Sequence, residues 1–322
     1  METILVTGTA GFIGSKVSEC LINKGYQVVG LDNLNHYYDV RLKEKRLEDL
    51  LELANFKFYQ IDIEDFTSLE SLFQKYQFHG IINEAARAGI RASIENPLAY
   101  QKTNVEGNLN LLELGKKYKV GQYVLASTSS VYSGCSQPFQ EECKNDTPLS
   151  PYAATKMAAE LMTYTYHYLY QMNVTVLRYF TVYGPAARPD MSIFRFIKWI
   201  MEGNKVQIFG DGKQVRDFTY IDDIAEGTIR ALGLKGFHRI NLGNNNPSSL
   251  SELIYIIEKY TGRKAKMEFL PILPEDMRST WADISKAKEL LDWQPKVTLD
   301  EGIKRTVSWM KGNWEWVRGI KV

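Results

Sequence analysis

Cysteine is scarce in this chain: Cys20, Cys135 and Cys143 are the only three among 322 residues. An odd number with no C-x-x-C pair argues for neither a disulfide framework nor a zinc site, and Cys20, among apolar residues of an expected helix, reads as core. His36, His79, His167 and His238 are scattered without ligand spacing, so no metal is expected. No apolar run reaches the ~18–20 residues that a bilayer-crossing helix needs. Met1-Glu2 leads straight into Thr3-Ile4-Leu5-Val6, which is not a signal-peptide pattern, so a cytoplasmic location is expected. Excess charge of either sign is missing too, with 39 basic against 38 acidic side chains. A protein that tracks a nucleic-acid backbone carries a basic surplus, so neither nucleic acid nor a membrane is an expected partner. Internal repeats, low-complexity tracts and flexible linkers are absent as well.

What is present is an ordinary globular composition, 44% hydrophobic and 24% charged, in a chain long enough for one large domain or two closely associated ones. The first half alternates β-branched runs with helical stretches. Ile4–Thr7, Gln27–Leu31, Phe56–Gln60, Gly80–Asn83, Tyr123–Ala126 and Val174–Tyr179 read as strands. Helices are expected near 12–24, 40–53, 67–76, 98–118 and 152–171. This alternation predicts βαβ units and an α/β fold with a Rossmann-type, doubly wound parallel sheet. The rhythm breaks near residue 179, where turn-rich segments separate shorter elements, with helices near 192–202, 222–233, 249–261, 284–291 and 299–312. The division expected is residues 1–178 for the dinucleotide side and a smaller α/β domain, 179–322, for substrate. Part of 216–243, with a strand near Arg239–Leu242, is a candidate to return to the main sheet.

Thr7-Gly8-Thr9-Ala10-Gly11-Phe12-Ile13-Gly14 follows the first strand and opens the first helix. Gly8 permits a tight turn, Gly11 lets backbone approach a pyrophosphate, and Gly14 lets the helix pack on the sheet. The helix N-terminus offers unsatisfied N–H groups and a positive dipole end to phosphates. Asp32 ends the second strand, near the ~20-residue offset of the ribose-binding acid; it favours NAD over NADP. Asp62-Ile63 follows the third strand, where adenine would lie.

Ser150-Pro151-Tyr152-Ala153-Ala154-Thr155-Lys156 contains Tyr-x-x-x-Lys just inside a helix start. Tyr152 and Lys156 then share one face. A phenol is a poor base at neutral pH, but a neighbouring ammonium and a positive nicotinamide favour phenolate. Such a tyrosine accepts a hydroxyl proton while hydride leaves the same carbon. Ala126-Ser127-Thr128-Ser129-Ser130 ends the preceding strand, at the sheet edge where ligands bind, and Thr128 can hydrogen-bond the reacting oxygen.

With TGTAGFIG, DNLN, STSSVY, YAATK, RYFTVYGP and RDFTYIDD in order, nearly the whole chain resembles the extended short-chain dehydrogenase/reductase family of nucleotide-sugar epimerases and dehydratases. The resemblance implies a catalytic triad of Thr128, Tyr152 and Lys156. It also implies tightly held NAD against Gly8, Gly11, Phe12, Ile13, Gly14, Asp32, Asn33, Asp62, Ile63, Ala85, Asn104 and Tyr179, with Tyr152 and Lys156. Asn83-Glu84-Ala85-Ala86 departs from it, since relatives usually have His-x-Ala-Ala. Related 4,6-dehydratases carry Asp-Glu after the threonine, and UDP-glucuronate decarboxylases an acid at the second position. Here Ser129 and Ser130 stand there, which points to 4-epimerisation through a 4-keto sugar.

Three segments resemble UDP-glucuronate 4-epimerases in particular: Asp32 to Asp39 with Leu42-Lys43 and Arg46-Leu47, Ala88-Gly89-Ile90-Arg91, and Ala187-Arg188-Pro189-Asp190-Met191. The resemblance places Arg188 near a sugar carboxylate, with Ser129, Ser130 and Thr181 as hydroxyl donors and Arg91 less firmly among the substrate residues. Arg216 and Arg278 stand where relatives bind the diphosphate of the UDP-sugar. Asp222 and Asp223 read as caps of the next helix. The alternatives are a 4-epimerase of a neutral UDP-hexose or UDP-N-acetylhexosamine, and a non-catalytic NAD-binding sensor. A homodimer paired through the helices near 98–118 and 152–171 is expected.

Overall fold

The computed structural model describes residues 1–272 and 277–322. Its first half runs β1 (Thr3–Thr7), α1 (Phe12–Asn23), β2 (Gln27–Asp32), α2 (Arg41–Leu51), β3 (Phe56–Gln60), α3 (Phe66–Lys75) and β4 (Gly80–Asn83). It continues with α4 (Ile90–Glu95), α5 (Pro97–Gln101), a wide π-helical stretch (Lys102–Gly107), α6 (Asn108–Lys117), β5 (Gln122–Thr128), α7 (Pro151–Tyr170) and β6 (Asn173–Tyr179). The helix expected over 98–118 is therefore three segments in line. The second half comprises β7 (Thr181–Tyr183), α8 (Ser192–Glu202), β8 (Lys205–Phe209), β9 (Val215–Arg216), β10 (Phe218–Tyr220), α9 (Ile221–Arg230) and β11 (Phe237–Leu242). It ends with β12 (Ser248–Ser249), α10 (Leu250–Thr261), β13 (Lys266–Leu270), α11 (Ser285–Leu291), α12 (Leu299–Gly312) and α13 (Trp314–Val317).

Seven parallel strands form one sheet in the order β11-β6-β5-β4-β1-β2-β3. Every residue of β1 is buried, as a strand covered on both faces requires. Its pleat divides the core: Ile4 and Val6 pack with Val17 and Leu21 of α1, while Leu5 packs with Ile81 and with Leu111 and Leu112 of α6. Removing each such side chain from water contributes roughly 1.5–3 kcal/mol. The strand order reverses between β1 and β4, and a crevice opens at their carboxyl ends.

As the sequence suggested, a late segment rejoins this sheet: α9 packs on α1, and β11 pairs with β6 from Phe237↔Val174 to Leu242↔Tyr179. Outside it lie three small pairings, β10 with β7, β13 with β8 and β12 with β9.

Two expectations fail. Cys135 and Cys143 form a disulfide, with Cα atoms 6.3 Å apart, in the segment joining β5 to α7. They lie eight residues apart in a connecting segment, with no C-x-x-C or other paired spacing to signal the bridge. Asp222 and Asp223 do not cap α9, whose N-cap residue is Tyr220. Asp222 pairs with Lys16 at 3.2 Å, and the Asp223 carboxylate accepts the Val297 N–H at 3.0 Å, tying α9 to the chain before α12.

Candidate active site

A cleft of about 750 Å³ runs from the β1–α1 turn across the carboxyl edge of the sheet to β8. Its floor is the glycine turn. Gly8 has φ +65°, and a Cβ there would lie 2.8 Å from Ala85 N; on Gly14 it would lie 2.2 Å from the Gly8 carbonyl oxygen. The turn is thus closed to any side chain, and the first N–H groups of α1, at Phe12, Ile13 and Gly14, are outside the helix's own ladder. Asp32, almost fully buried, accepts the Leu34 N–H at 2.8 Å. Lys43, which the sequence reading gave no role, stands 3.4 Å from the same oxygen. Asp62 accepts an N–H from Asn33 at 2.7 Å, joining the ends of β2 and β3. Ile63 lines the cleft wall beside it.

Asn83, in place of the family's histidine, is structural. Its side chain accepts from Thr7 Oγ1 at 2.7 Å and donates to Asn108 and to Tyr123 at 3.1 and 3.2 Å. Thr7 Oγ1 accepts the Ala85 N–H at 3.0 Å, so the turn after β4 is pinned against Gly8. Asn104 departs from expectation. Its amide donates to Arg87 O and Thr155 Oγ1 at 3.0 and 3.1 Å and accepts the Arg87 N–H at 2.8 Å. With its donors and acceptor engaged, it clamps the loop after β4 and does not face the cleft.

Ser150 caps α7 by accepting the Ala153 N–H at 3.2 Å, and Pro151 occupies the first turn. This aims Tyr152 and Lys156 at the end of β5. Thr128 and Tyr152 both line the cleft, and the Thr128 hydroxyl opposes the rise in the phenol's pKa. Lys156 Nζ donates to Ala126 O at 2.8 Å, an anchor on β5 in place of the direct tyrosine contact that the sequence suggested. Burial pushes the Tyr152 phenol above its ordinary pKa, while Thr128 and the Arg188 charge pull it down. Burial lowers Lys156 to about 8, against the charges of Glu84 and Glu160.

Ser129, Ser130 and Thr181 line the mouth beside Thr128, and Ser130 N–H donates to Thr128 Oγ1 at 3.1 Å. Arg188 lies over the Tyr37 ring at 5.5 Å, is gripped by Asp190 through Nε at 3.0 Å, and donates to Ala88 O at 3.2 Å. Arg91 covers the Phe209 ring at 4.2 Å. Arg216 lines the cleft and donates to Val215 O and Arg278 O at 3.0 and 3.2 Å. Arg278 is brought beside Arg216 by its backbone, but its side chain is exposed and lies outside the cleft lining. Sequence reasoning missed Arg195 of α8, a cleft-lining residue whose guanidinium burial and the nearby Arg91 charge drive below its usual pKa. Its place on α8, with Lys198 one turn further on, gave the only signal, two cations among apolar residues.

It also missed Glu84. Outside the segment after Thr128 where an acid was expected, Glu84 lines the cleft from the β4 side, its Oε1 2.6 Å from the Tyr179 hydroxyl oxygen.

A Rossmann sheet with Thr128, Tyr152 and Lys156 along its carboxyl edge is the arrangement of the extended short-chain dehydrogenases and reductases. Over residues 5–306 the chain matches the family described as GDP-mannose 4,6 dehydratase, and it belongs to that family. It is 58% identical to a UDP-glucuronate 4-epimerase of Thermodesulfobacterium geofontis, over 100% of both chains. It is similar to a crystal structure of UDP-glucuronic acid 4-epimerase from Bacillus cereus in complex with UDP-glucuronic acid and NAD. That match has 38% identity and a TM-score of 0.92, and covers 97% of this chain and 99% of that one. A UDP-glucose 4-epimerase of Thermotoga maritima, solved with UDP-glucose, matches at 33% identity and a TM-score of 0.87, covering 97% of this chain and 99% of that one.

Proposed function

We propose that this chain is an NAD-dependent 4-epimerase, an isomerase that interconverts UDP-glucuronic and UDP-galacturonic acid through a transient 4-keto sugar. The observation that carries the reading is the edge Thr128-Ser129-Ser130: hydroxyls stand beside Tyr152 where elimination chemistry would need acids. The relatives' activities support the same substrate.

NAD fits the floor of the cleft. The Cβ-intolerant glycine turn, the open N-terminus of α1 and the Asp32 carboxylate suit a pyrophosphate and a ribose. Phe12, Ile13, Asn33, Asp62, Ile63, Ala85 and Tyr179 would complete its walls. When bound, it supplies reversible oxidation and reduction at the sugar C4. Tyr152, helped by Thr128, takes the C4 hydroxyl proton and gives it back to the same oxygen once the keto sugar has turned its opposite face to the cofactor. Lys156, anchored on Ala126 O, supplies the ammonium that supports the phenolate.

The keto intermediate is a β-keto acid and loses CO₂ when its carboxylate aligns with the carbonyl π system. Ser129, Ser130 and Thr181 hold that carboxylate with neutral donors. Arg188 is already paired with Asp190, so it shapes the pocket and adds positive potential near Tyr152. Arg91, Arg195 and Arg216, with Arg278 at the edge, would take the diphosphate, because guanidinium forks suit phosphate oxygens. The residues after 179, apart from α9 and β11, serve as the sugar-nucleotide side.

Among the described residues no helix is long and apolar enough to cross a membrane. A cytoplasmic place, a homodimeric state and a role in polysaccharide synthesis complete the reading. NMR analysis of the purified protein incubated with UDP-glucuronate tests it. UDP-galacturonate as main product supports it; CO₂ release as main outcome, or turnover of UDP-glucose in preference, overturns it.

A further inference from the structure

Several cleft carboxylates already have cations. Asp32 lies beside Lys43, and Asp190 is bound to Arg188. Glu84 differs. Its neighbours in sequence are pinned through Asn83 and Ala85, and its carboxyl bonds a phenol. From it a chain of short links runs away from the cleft. Glu84 Oε1 lies 2.6 Å from Tyr179 Oη, Tyr179 Oη 2.8 Å from Thr228 Oγ1, and Thr228 Oγ1 2.8 Å from Ile224 O.

Counting protons along this chain decides its charge. There are three links, and Tyr179 and Thr228 bring one hydroxyl proton each. The Ile224 carbonyl at the far end only accepts. With Glu84 ionised, one link has no proton; with Glu84 protonated, every link has one, running from Glu84 to Tyr179 to Thr228 to Ile224. Ordered chains of this kind reinforce themselves in a low-dielectric setting, and an unfilled link there is costly.

The charged surroundings point the same way. Lys156 on α7 is the cation whose field reaches Glu84, and Tyr152 on the same helix feels Glu84 in turn. From β6 comes Tyr179, and from α9 only the Thr228 hydroxyl. Glu160 faces Lys156 from below, but it is bound bidentately by Arg178. One ammonium thus has two possible anionic partners on the cleft side, the Tyr152 phenolate and the Glu84 carboxylate.

We propose that Glu84 is a positioning residue that works as a neutral acid: its proton completes the chain to Ile224, and its lack of charge leaves the Lys156 ammonium to support the Tyr152 phenolate. Burial agrees, since it pushes the Glu84 carboxyl up to about 7 despite the opposing pull of Tyr179 and Lys156. The ionised carboxylate would raise the proton affinity of Tyr152 and so withdraw the base. The catalytic meaning rests on the reading of Tyr152 as the general base; the protonation of Glu84 does not.

Infrared difference spectroscopy of the NAD-loaded protein separates the two. A protonated-carboxyl carbonyl band should be present in the wild type near pH 6, fade as pH rises through about 7, and be missing from Glu84→Gln. Ultraviolet titration of the tyrosine, taken as the difference from Tyr152→Phe, should match the wild type near pH 6, where both side chains are uncharged, and show about threefold to tenfold more phenolate in Glu84→Gln only above about pH 7, where the wild-type carboxyl ionises. Glutamine can donate to Tyr179 and carries no charge, so it mimics the neutral acid. A Glu84 already ionised near pH 6, or a Tyr152 titration unmoved by Glu84→Gln, overturns the proposal. If Glu84→Gln does not fold, the wild-type band compared with Glu84→Asp, whose shorter side chain should shift or lose it, decides alone. A protein that shows the band and the shift but turns over no nucleotide sugar refutes the epimerase reading and leaves this one standing.

Discussion

Tyr152 and Lys156 are pulled in opposite directions by one cause. Burial raises the phenol and lowers the ammonium, so both drift toward neutrality. A base built this way depends on the groups that oppose burial, and removing the phenol removes it entirely. Tyr152→Phe should lower kcat by about a thousandfold with cofactor content unchanged, measured by turnover and by nucleotide release on denaturation. Lys156 makes a prediction of two opposite signs. Its folded pKa of about 8 lies below the ~10.4 of an unfolded lysine. Between those values the folded chain binds fewer protons than the unfolded one, so stability should rise with pH across that window. Turnover should fall over the same window as the ammonium is lost. A kcat profile and denaturation midpoints taken on the same buffers check both. The triad and glycine turn were legible because each residue type answers a local demand, a φ or a helix face. Asn104 was not, since its partners Arg87 and Thr155 lie 17 and 51 residues away.

Helix α7 carries a second constraint along its inner face. Glu160 accepts from Arg178 at 3.0 and 2.6 Å and from Ser127 Oγ at 2.5 Å, all nearly fully buried, tying α7 to β6 and β5 beneath Lys156. Removing only the cation strands a buried carboxylate. Arg178→Met should cost about 3–5 kcal/mol in denaturant unfolding, and the double variant Arg178→Met with Glu160→Leu should recover much of it. Strands β1 to β6 could be read from sequence because short runs rich in β-branched, aromatic and other apolar residues alternate with helices; β3, at the sheet edge, mixes Lys57 and Gln60 with aromatic residues. β7, β9, β10 and β12, of two or three residues each, carry no period to read. β8 and β13 are partly exposed and pair with each other across a separation of 61 residues, as in Lys205↔Lys266. The π-helical stretch looked like uninterrupted helix because a wider turn changes the hydrogen-bond ladder and leaves the composition alone.

For the whole molecule, the outer face of α7 shows Leu161, Tyr164 and Tyr168 at 67%, 46% and 68% exposure, with Leu98 of α5 at 81%. Their spacing of three, four and seven residues makes one apolar stripe, which supports the expected pairing with a second copy. Leu161→Glu should convert a dimer to a monomer in light scattering at micromolar concentration while leaving the far-ultraviolet circular dichroism unchanged. The disulfide bears on the cell compartment, because cytosolic surroundings keep thiols reduced. Thiol titration of protein unfolded without reductant should find one free thiol, Cys20, and a count of three would contradict the bridge. The return of β11 to the sheet bears on synthesis. β6 ends at Tyr179, but its outer neighbour is complete only at Leu242. A ribosome must therefore deliver more than sixty further residues while the backbone N–H and C=O groups along that margin stay unclaimed. A fragment stopped at 178 would keep this bare edge for good, so it should associate with other chains where the full-length protein stays apart from them.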